Sequence, residues 1–364
     1  MMTDIDYMRR ALELAARGRG RVHPNPMVGA VAVRDGRVVG EGFHPGPGQP
    51  HAEVFALKEV AAGTPGVTVY VNLEPCSFVG RTPPCADLLV EKGVTRVVCA
   101  MSDPDERVSE KGFARLKGAG IDVIVGVLEA EARALNAAYV KHRTTGLPYV
   151  TLKLAQTLDG RIATASGDSK WISSEASRVR AHRLRADADA ILIGSGTLKA
   201  DDPELSVRHV EGESPAKIVL DSRLEISTGA KVFEGAPLWL ATSEGVSNRR
   251  LQEVEAAGAG VWVIGGGGRP GLLDVLRLAA DKGYLHVLIE GGGQVAASAL
   301  RGNLVDRVAV FVAPKILGEG ISSVGDLGID RISDAVELDL VEVEQIGNDL
   351  FYAADVVGAT EQQG

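Results

Sequence analysis

Two cysteines, Cys76 and Cys85, stand nine positions apart in the proline-rich stretch PCSFVGRTPPC, in a chain that has only three. Just upstream, PHAEVFALKEV sets His51 and Glu53 at the mouth of an expected helix. Two thiolates and one neutral imidazole balance the charge of Zn²⁺, and three protein ligands leave a fourth position for water, as a catalytic zinc requires. A metal held so lowers the pKa of that water toward ~7. Glu53, two residues from His51, need not be a ligand and can take the water's proton and hand it on. A structural zinc would need a fourth protein ligand. Cys99 is the one spare cysteine, and its apolar stretch RVVCAM reads as a small buried core residue.

A second set of residues concerns phosphate. LHVLIEGGGQVAASALRG reads as a buried strand, three glycines and a helix. Gly291 to Gly293 let backbone approach a phosphate, and the helix start supplies free N–H groups with a partial positive charge. A plain strand-to-helix turn would look the same. No G-x-G-x-x-G stands in the strand-turn-helix context that would make it informative. VIGGGGRPG lacks a matched acid downstream and reads as a loop.

These residues need elements to hold them. A length of 364 residues suggests two domains at roughly 150 residues each. With 45% apolar and 24% charged residues the composition is ordinary globular material. A net charge of -9 opposes a nucleic-acid or anionic-membrane binder. The start MMTDIDYMRR has acids and no apolar core, so no signal peptide is expected, and no run approaches the ~18–20 apolar residues that span a membrane. A cytoplasmic location follows as the expectation, and there a cysteine pair serves a metal or catalysis rather than a disulfide framework.

DIDYMRRALELAARG places Ile5, Met8, Leu12 and Ala15 on one helical face. VGAVAV is an expected buried strand that turns through Asp35-Gly36 into DGRVVGEGF. AEVFALKEVAA, CADLLVEKG and GFARLKGAG read as helices between the strands VTVYVNL, TRVVCAM and IDVIVGV. Alternation of this kind means an α/β layer with a largely parallel sheet. Gly146 and Pro148 punctuate HRTTGLPYV, which divides the chain into domains 1–145 and 146–364. Beyond it YVTLKLA, DAILIGS, AKIVLD, LWLAT, VWVIG, LHVLIE and RVAVFVAP are expected strands, with SEASRVRAHRLRA and LLDVLRLAADKG as helices.

His-x-Glu followed by Pro-Cys and a further Cys is a signature of zinc nucleobase deaminases. Nucleic-acid and cytidine deaminases usually have two residues between the cysteines; here there are eight. HPNPMVGAVAV, HAE, LEPC and GRTPPC resemble the deaminase half of the bifunctional deaminase/reductases of riboflavin biosynthesis. LKLAQTLDGRIATASGDSKWISS, ADDPELSVR and IEGGG continue the resemblance over nearly the whole chain. It implies a cytidine-deaminase-like N-terminal domain and a dihydrofolate-reductase-like C-terminal domain. The implied substrate is 2,5-diamino-6-(5-phosphoribosylamino)pyrimidin-4-one, deaminated with zinc and then reduced with NADPH from ribosyl to ribityl. A homo-oligomer is implied as well.

By the same resemblance, His51, Cys76 and Cys85 hold zinc and Glu53 is catalytic, with Asn25, His44 and Arg81 toward the deaminase substrate. Ala155, Trp171, Thr197, Asp201 and Gly292, Gly293, Gln294, Val295, Ala296, Ala297 and Ser298 border the cofactor. Lys153, Ser169, Arg185, Leu205, Arg208 and Glu290 border the reductase substrate, Arg185 as a fork for phosphate. Either a lysine or a proton-bearing carboxyl would serve as the proton donor of the reduction.

Two positions depart from the family. It usually has His where Phe78 stands, and DPNP with a Gly-rich run where this chain has DPDERVSEKG. Phe78 cannot donate a hydrogen bond, and Asp105 is acceptor-only where an amide would do both. These departures leave open a related enzyme for a variant pyrimidine or pterin-like substrate. A base editor acting on nucleic acid is opposed by the charge and by the lack of interleaved basic and aromatic residues. An inactive scaffold is opposed by intact His51, Glu53, Cys76 and Cys85.

Overall fold

The computed structural model describes residues 2–78, 83–266 and 268–358. Two compact units divide between Thr144 and Thr145.

The first unit contains α1 (Asp4–Ala15), β1 (Gly29–Arg34), β2 (Arg37–Phe43), α2 (Ala52–Ala56), β3 (Val67–Val71), α3 (Cys85–Glu91), β4 (Arg96–Cys99), α4 (Lys111–Gly118), β5 (Asp122–Val125), α5 (Glu129–Leu135) and α6 (Ala137–Thr145). Its sheet runs β2-β1-β3-β4-β5. β1 is antiparallel to both neighbours, and β3, β4 and β5 are mutually parallel. Asp35 and Gly36 both take positive φ, 51° and 72°, the pair a two-residue hairpin of matching twist demands. Val67, Val69, Val71 and Val97 pack with Leu57, Leu89 and Leu116 into one core.

Two expectations change here. α1 buries Tyr7, Met8, Ala11, Leu14 and Ala15, while Ile5 is exposed and Leu12 only half-buried. The helix lies so close to β1 that a Cβ on Gly29 would come within 2.1 Å of the Ala11 carbonyl oxygen. Only small side chains fit that seam. The same rotation brings Asp4 against Arg96 at 2.7 Å and under the Tyr70 hydroxyl at 2.8 Å. The helix expected over AEVFALKEVAA stops after five residues. Lys58 and Val60 bond back to Phe55 and Leu57, in i→i+3 turns that carry Leu57 and Val60 into the core.

α4 opens at Glu110, whose φ of 62° is left-handed. Its N–H donates to Glu74 Oε2 at 3.0 Å, which holds the backbone there. A left-handed L-residue costs roughly 1–2 kcal/mol, part of which glycine returns as unfolded-state entropy. Glu110→Gly is expected to stabilise the first unit by about 0.5–1 kcal/mol. A rise in that unit's calorimetric transition checks it; a fall would mean the Glu110 side chain supports the turn.

The second unit contains β6 (Tyr149–Thr157), β7 (Arg161–Thr164), α7 (Glu175–Asp187), β8 (Ala190–Gly194), α8 (Ser195–Asp201), β9 (Ala216–Leu220), β10 (Leu238–Ser243), α9 (Asn248–Ala256), β11 (Ala259–Ile264), α10 (Leu272–Asp281), β12 (His286–Ile289), α11 (Gly293–Arg301), β13 (Arg307–Ala313), β14 (Gly320–Ser322), β15 (Leu338–Ile346) and β16 (Asp349–Val356). A nine-stranded sheet runs β11-β10-β9-β8-β12-β6-β13-β16-β15, and β7 pairs with β14. The sheet is parallel from β11 to β13, and β16 and β15 are antiparallel. β12 arrives late in the chain yet lies between β6 and β8. The C-terminal ends of these three strands therefore sit side by side, where open α/β sheets form their ligand crevices. Among the described residues, no helix is long and apolar enough to cross a membrane.

Candidate functional site

His51 caps α2, Cys76 lies in the loop after β3, and Cys85 opens α3. His51 Nδ1 is 3.2 Å from Cys85 Sγ and 3.6 Å from Cys76 Sγ, and the Cys85 N–H donates to Cys76 Sγ at 3.3 Å. The three ligand atoms lie within 4.8 Å of one another. Hydrogen bonds from Cys85 and His51 draw the Cys76 thiol far down, against burial. Its hydrogen bond to Cys76, together with burial, pushes Cys85 up. One thiolate is thus already favoured, and a metal would displace the other proton.

Glu53, in the first turn of α2, is buried, and its Oε2 has no hydrogen-bond partner. Burial, then the Cys76 charge, pushes its carboxyl up. A buried carboxylate oxygen left without a partner beside three soft donors fits a site built around a metal and a polar ligand. The residues present fit zinc. Cys99 is not part of this group: its thiol donates to the Met101 carbonyl at 3.3 Å, inside the core.

His44 is buried, with its ring 5.5 Å from that of His51 and edge-on to it. One ring nitrogen faces the Pro50 carbonyl at 3.1 Å and the other the Asn25 amide nitrogen at 3.0 Å. A carbonyl only accepts, so His44 Nδ1 carries the proton and Nε2 accepts from Asn25. Burial lowers the pKa of His44, which keeps the ring neutral. Arg81 lies outside the described residues.

A cavity of about 150 Å³ joins Asn25, His44, His51, Glu53 and Cys76 to Phe78, Asp103, Asp105, Arg107, Tyr139 and Arg143. Several of these carry no motif. Glu74, buried in the cavity wall, accepts from the backbone N–H groups of Gly112 and Phe113 on Oε1 and of Asp103 and Glu110 on Oε2. One carboxylate thus fixes both ends of the loop from β4 to α4. The Tyr139 hydroxyl donates to Asp103 at 3.0 Å, and burial lifts the Asp103 carboxyl to about 6. A buried acid beside Cys76 in LEPC was the one available signal for Glu74; Tyr139 had none.

In the second unit Glu290 follows β12. Arg185, from α7, grips its carboxylate with Nε at 2.7 Å and Nη2 at 3.0 Å, and Lys153 on β6 adds Nζ at 3.4 Å. Arg185 Nη1 donates to the Ser206 carbonyl at 3.1 Å, which ties in the segment of Leu205 and Arg208. Leu205 is buried at a left-handed φ of 57°, and the Arg208 N–H donates to His182. The Arg185 fork expected to take a phosphate is engaged by Glu290 instead, because burial of the pair demands a counter-charge. Ser169, Trp171 and Asp201 share no hydrogen bond or ion pair with this group among the described residues. Trp171 is 65% exposed beneath the Arg178 guanidinium, 4.5 Å from its ring centre.

Gly292 caps α11, and a Cβ built on it would lie 3.7 Å from Thr197 Oγ1, so the α8 and α11 starts meet. A Cβ on Gly293 would approach the Ser322 carbonyl to 2.6 Å. Gln294 and Ser298 are exposed and Val295 half-buried, but Ala296 and Ala297 turn into the interior. Six consecutive helical residues, Gly293 to Ser298, cannot all face one ligand, since each turns the side chain by about 100°. Ala155 pairs with Phe311 across β13 and packs on the Phe311–Phe351 cluster.

Residues 1–101 match the family model of the cytidine and deoxycytidylate deaminase zinc-binding region, and residues 148–352 match that of the RibD C-terminal domain. The riboflavin biosynthesis protein RibD of Aquifex aeolicus is 44% identical over 355 residues, covering 96% of this chain and 98% of that protein. RibD of Escherichia coli is 39% identical, covering 96% and 98%. Among solved structures, Acinetobacter baumannii RibD aligns with a TM-score of 0.89 at 37% identity over 97% of this chain and 99% of that one. A diaminohydroxyphosphoribosylaminopyrimidine deaminase/5-amino-6-(5-phosphoribosylamino)uracil reductase from Thermotoga maritima aligns at 0.84, with 36% identity over 97% and 98%. The expected fold class, a cytidine-deaminase-like domain followed by a reductase domain, is borne out. The chain belongs to the RibD family of riboflavin biosynthesis, as a bifunctional enzyme with a zinc-binding deaminase domain and a reductase domain.

Proposed function

We propose that the two units perform consecutive steps on one phosphorylated pyrimidine. The first, residues 1–145, deaminates 2,5-diamino-6-(5-phosphoribosylamino)pyrimidin-4-one. The second, residues 146–364, reduces the ribosyl side chain to ribityl with NADPH. The observation that carries the first step is the buried Glu53 carboxyl, its Oε2 without a partner, in one cavity with His51 and Cys76, whose ligand atoms converge with that of Cys85.

Zinc held by those three residues would supply an acidified water. Glu53 takes one proton from the water and gives it to the ring nitrogen, where it stays; it then carries the second proton, from the new hydroxyl on the carbon, to the leaving amine. The carbon–oxygen bond forms, the carbon–nitrogen bond breaks and ammonia departs. Neutral His44 orients the Asn25 amide, which leaves its oxygen free to receive a ring N–H. Arg81 completes the phosphate side.

For the second step NADPH would supply hydride. Thr197 and the α11 start from Gly292 to Val295 hold its phosphates, with Ala155, Trp171 and Asp201 along the rest of the cofactor. Lys153, Arg185, Leu205, Arg208, Ser169 and Glu290 receive the sugar. The ribosylamine opens to an imine and hydride enters at the first sugar carbon. Arg185 and Lys153 hold the Glu290 carboxyl down at about 2, so it is an anion at neutral pH. Of these two groups, the Lys153 ammonium is then the one that carries a proton toward the ring oxygen.

One incubation tests both halves: the diaminopyrimidinone phosphate with zinc-loaded protein, ammonia and NADPH followed separately. Ammonia is expected without NADPH, and NADPH loss should lag behind it. NADPH loss ahead of ammonia reverses the order. No ammonia from fully loaded protein turns the reading to a variant pyrimidine or pterin-like substrate, which Phe78 and Asp105 in the cavity wall favour.

A further inference from the structure

α7 sets two side chains, His182 and Arg185, against the segment that carries Leu205 and Arg208. Three positions apart, they share one face of the helix. Residues 203–208 belong to no helix or strand, so their backbone groups must find partners outside a ladder. They find them in side chains. Arg185 Nη1 donates to the Ser206 carbonyl at 3.1 Å, the Val207 N–H donates to Ser214 Oγ at 3.0 Å, and the Arg208 N–H donates to His182 Nδ1 at 3.1 Å.

His182 belongs to none of the motifs, yet its side chain is buried, with the residue only 6% exposed. An aliphatic side chain would fill that space without the cost of burying polar atoms. What the imidazole adds is a lone pair. A backbone N–H only donates, so Nδ1 is the bare nitrogen and Nε2 carries the proton. Burial, then the Arg185 charge, brings the pKa of His182 down to about 4, so the ring is neutral and the lone pair is available at pH 7. The His209 ring stands edge-on to it, 4.6 Å between centres.

The Arg208 side chain depends on that bond. Its guanidinium is 48% exposed and leans on Glu204 and on Ser206 Oγ at 3.3 Å. An exposed ion pair of this kind holds a long side chain only weakly. The direction of the fork is therefore set by the backbone at position 208, and His182 holds that backbone.

We propose that His182 is a positioning residue of the reductase: its Nδ1 lone pair fixes the Arg208 backbone so that the guanidinium is already aimed when the substrate arrives. This role rests on the reductase reading above, in which Arg208 borders the sugar. Preset donors spare the cost of ordering the segment on binding, so the bond acts on substrate affinity rather than on hydride transfer.

NADPH oxidation by the full chain on the deaminated ribotide tests this. His182→Phe keeps a ring of similar size and removes the acceptor. KM for the ribotide should rise about tenfold, the scale of one buried N–H left unpaired, while kcat and KM for NADPH stay within about threefold. His182→Asn puts an amide oxygen where Nδ1 stood and should bring KM for the ribotide back to within about threefold of wild type. Tryptophan fluorescence in urea reports whether each variant has folded. An unchanged KM in folded His182→Phe, a loss confined to kcat, or equal rises in the Phe and Asn variants overturns the proposal. If only His182→Asn folds, a KM near that of wild type upholds it and a tenfold rise overturns it. If neither folds, His182 serves the fold rather than the site, and the proposal fails. In all these cases oxidation by wild type leaves the reductase reading standing. No oxidation by wild type overturns that reading, and the proposal with it.

Discussion

Glu53→Gln is expected to abolish deamination while the protein keeps one zinc per chain. The amide has the volume of the carboxyl, so α2 and the cavity should not move. The ligand atoms of His51, Cys76 and Cys85 converge without Glu53. What the variant loses is the ability to accept and return a proton, a function worth about a hundredfold to ten-thousandfold in rate. Glu53 is buried, only 3% exposed, so solvent is a poor substitute base and the upper end of that range is expected. Metal analysis and ammonia release on the same preparation decide it. If zinc leaves together with activity, Glu53 is a ligand and its assignment as proton carrier is wrong.

Glu290→Ala is expected to be the most destabilising single change in the second unit. The carboxylate answers Arg185 and Lys153, whose side chains are only 14% and 15% exposed. Removing it leaves two cations near one another without a counter-charge, and breaking a buried pair in this way costs about 3–5 kcal/mol. All three tryptophans of the chain, Trp171, Trp239 and Trp262, lie in this unit, so fluorescence during urea unfolding reports on it alone. A midpoint shift equivalent to less than about 1 kcal/mol would mean that water already answers the charges.

The same carboxylate sets a pH dependence. Burial pushes Glu290 up, but the charges of Arg185 and Lys153 outweigh it and bring it from the ordinary 4.5 to about 2. A carboxyl whose folded pKa is depressed contributes stability that is complete above its unfolded pKa and is lost as pH falls toward the folded one. That contribution is about 3 kcal/mol at neutral pH. The stability gap between wild type and Glu290→Ala should therefore be constant above about pH 5 and narrow steadily below it. A gap that stays constant down to pH 3 would mean that Glu290 is not held low in the folded protein.

The sequence by itself was enough for whatever depends on short spacing. His51 and Glu53 sit two residues apart, the cysteines stand nine positions apart, and Asp35-Gly36 marks its own hairpin because that pair readily takes the two positive φ angles the turn needs. Most strands were legible as apolar runs, since a parallel sheet buried on both faces needs nothing but such runs. β7, β14, β15 and β16 were not. The sides of β15 are largely exposed, so no burial pattern marks it.

Only the tertiary structure decided which distant residues meet. The Ile5 face of α1 was misread because helical periodicity cannot tell that α1 packs its Ala11 side on Gly29, so close that a Cβ there would come within 2.1 Å of the Ala11 carbonyl oxygen. Glu74 gathers four N–H groups from the loop after β4 and the first turn of α4, and no local pattern distinguishes such an acid from a solvated one. Glu290 meets Lys153 across 137 residues and Arg185 across 105. They meet because β12 is inserted between β6 and β8. That insertion follows from which strands can bury their apolar faces together, a property of the whole sheet rather than of any segment of the chain.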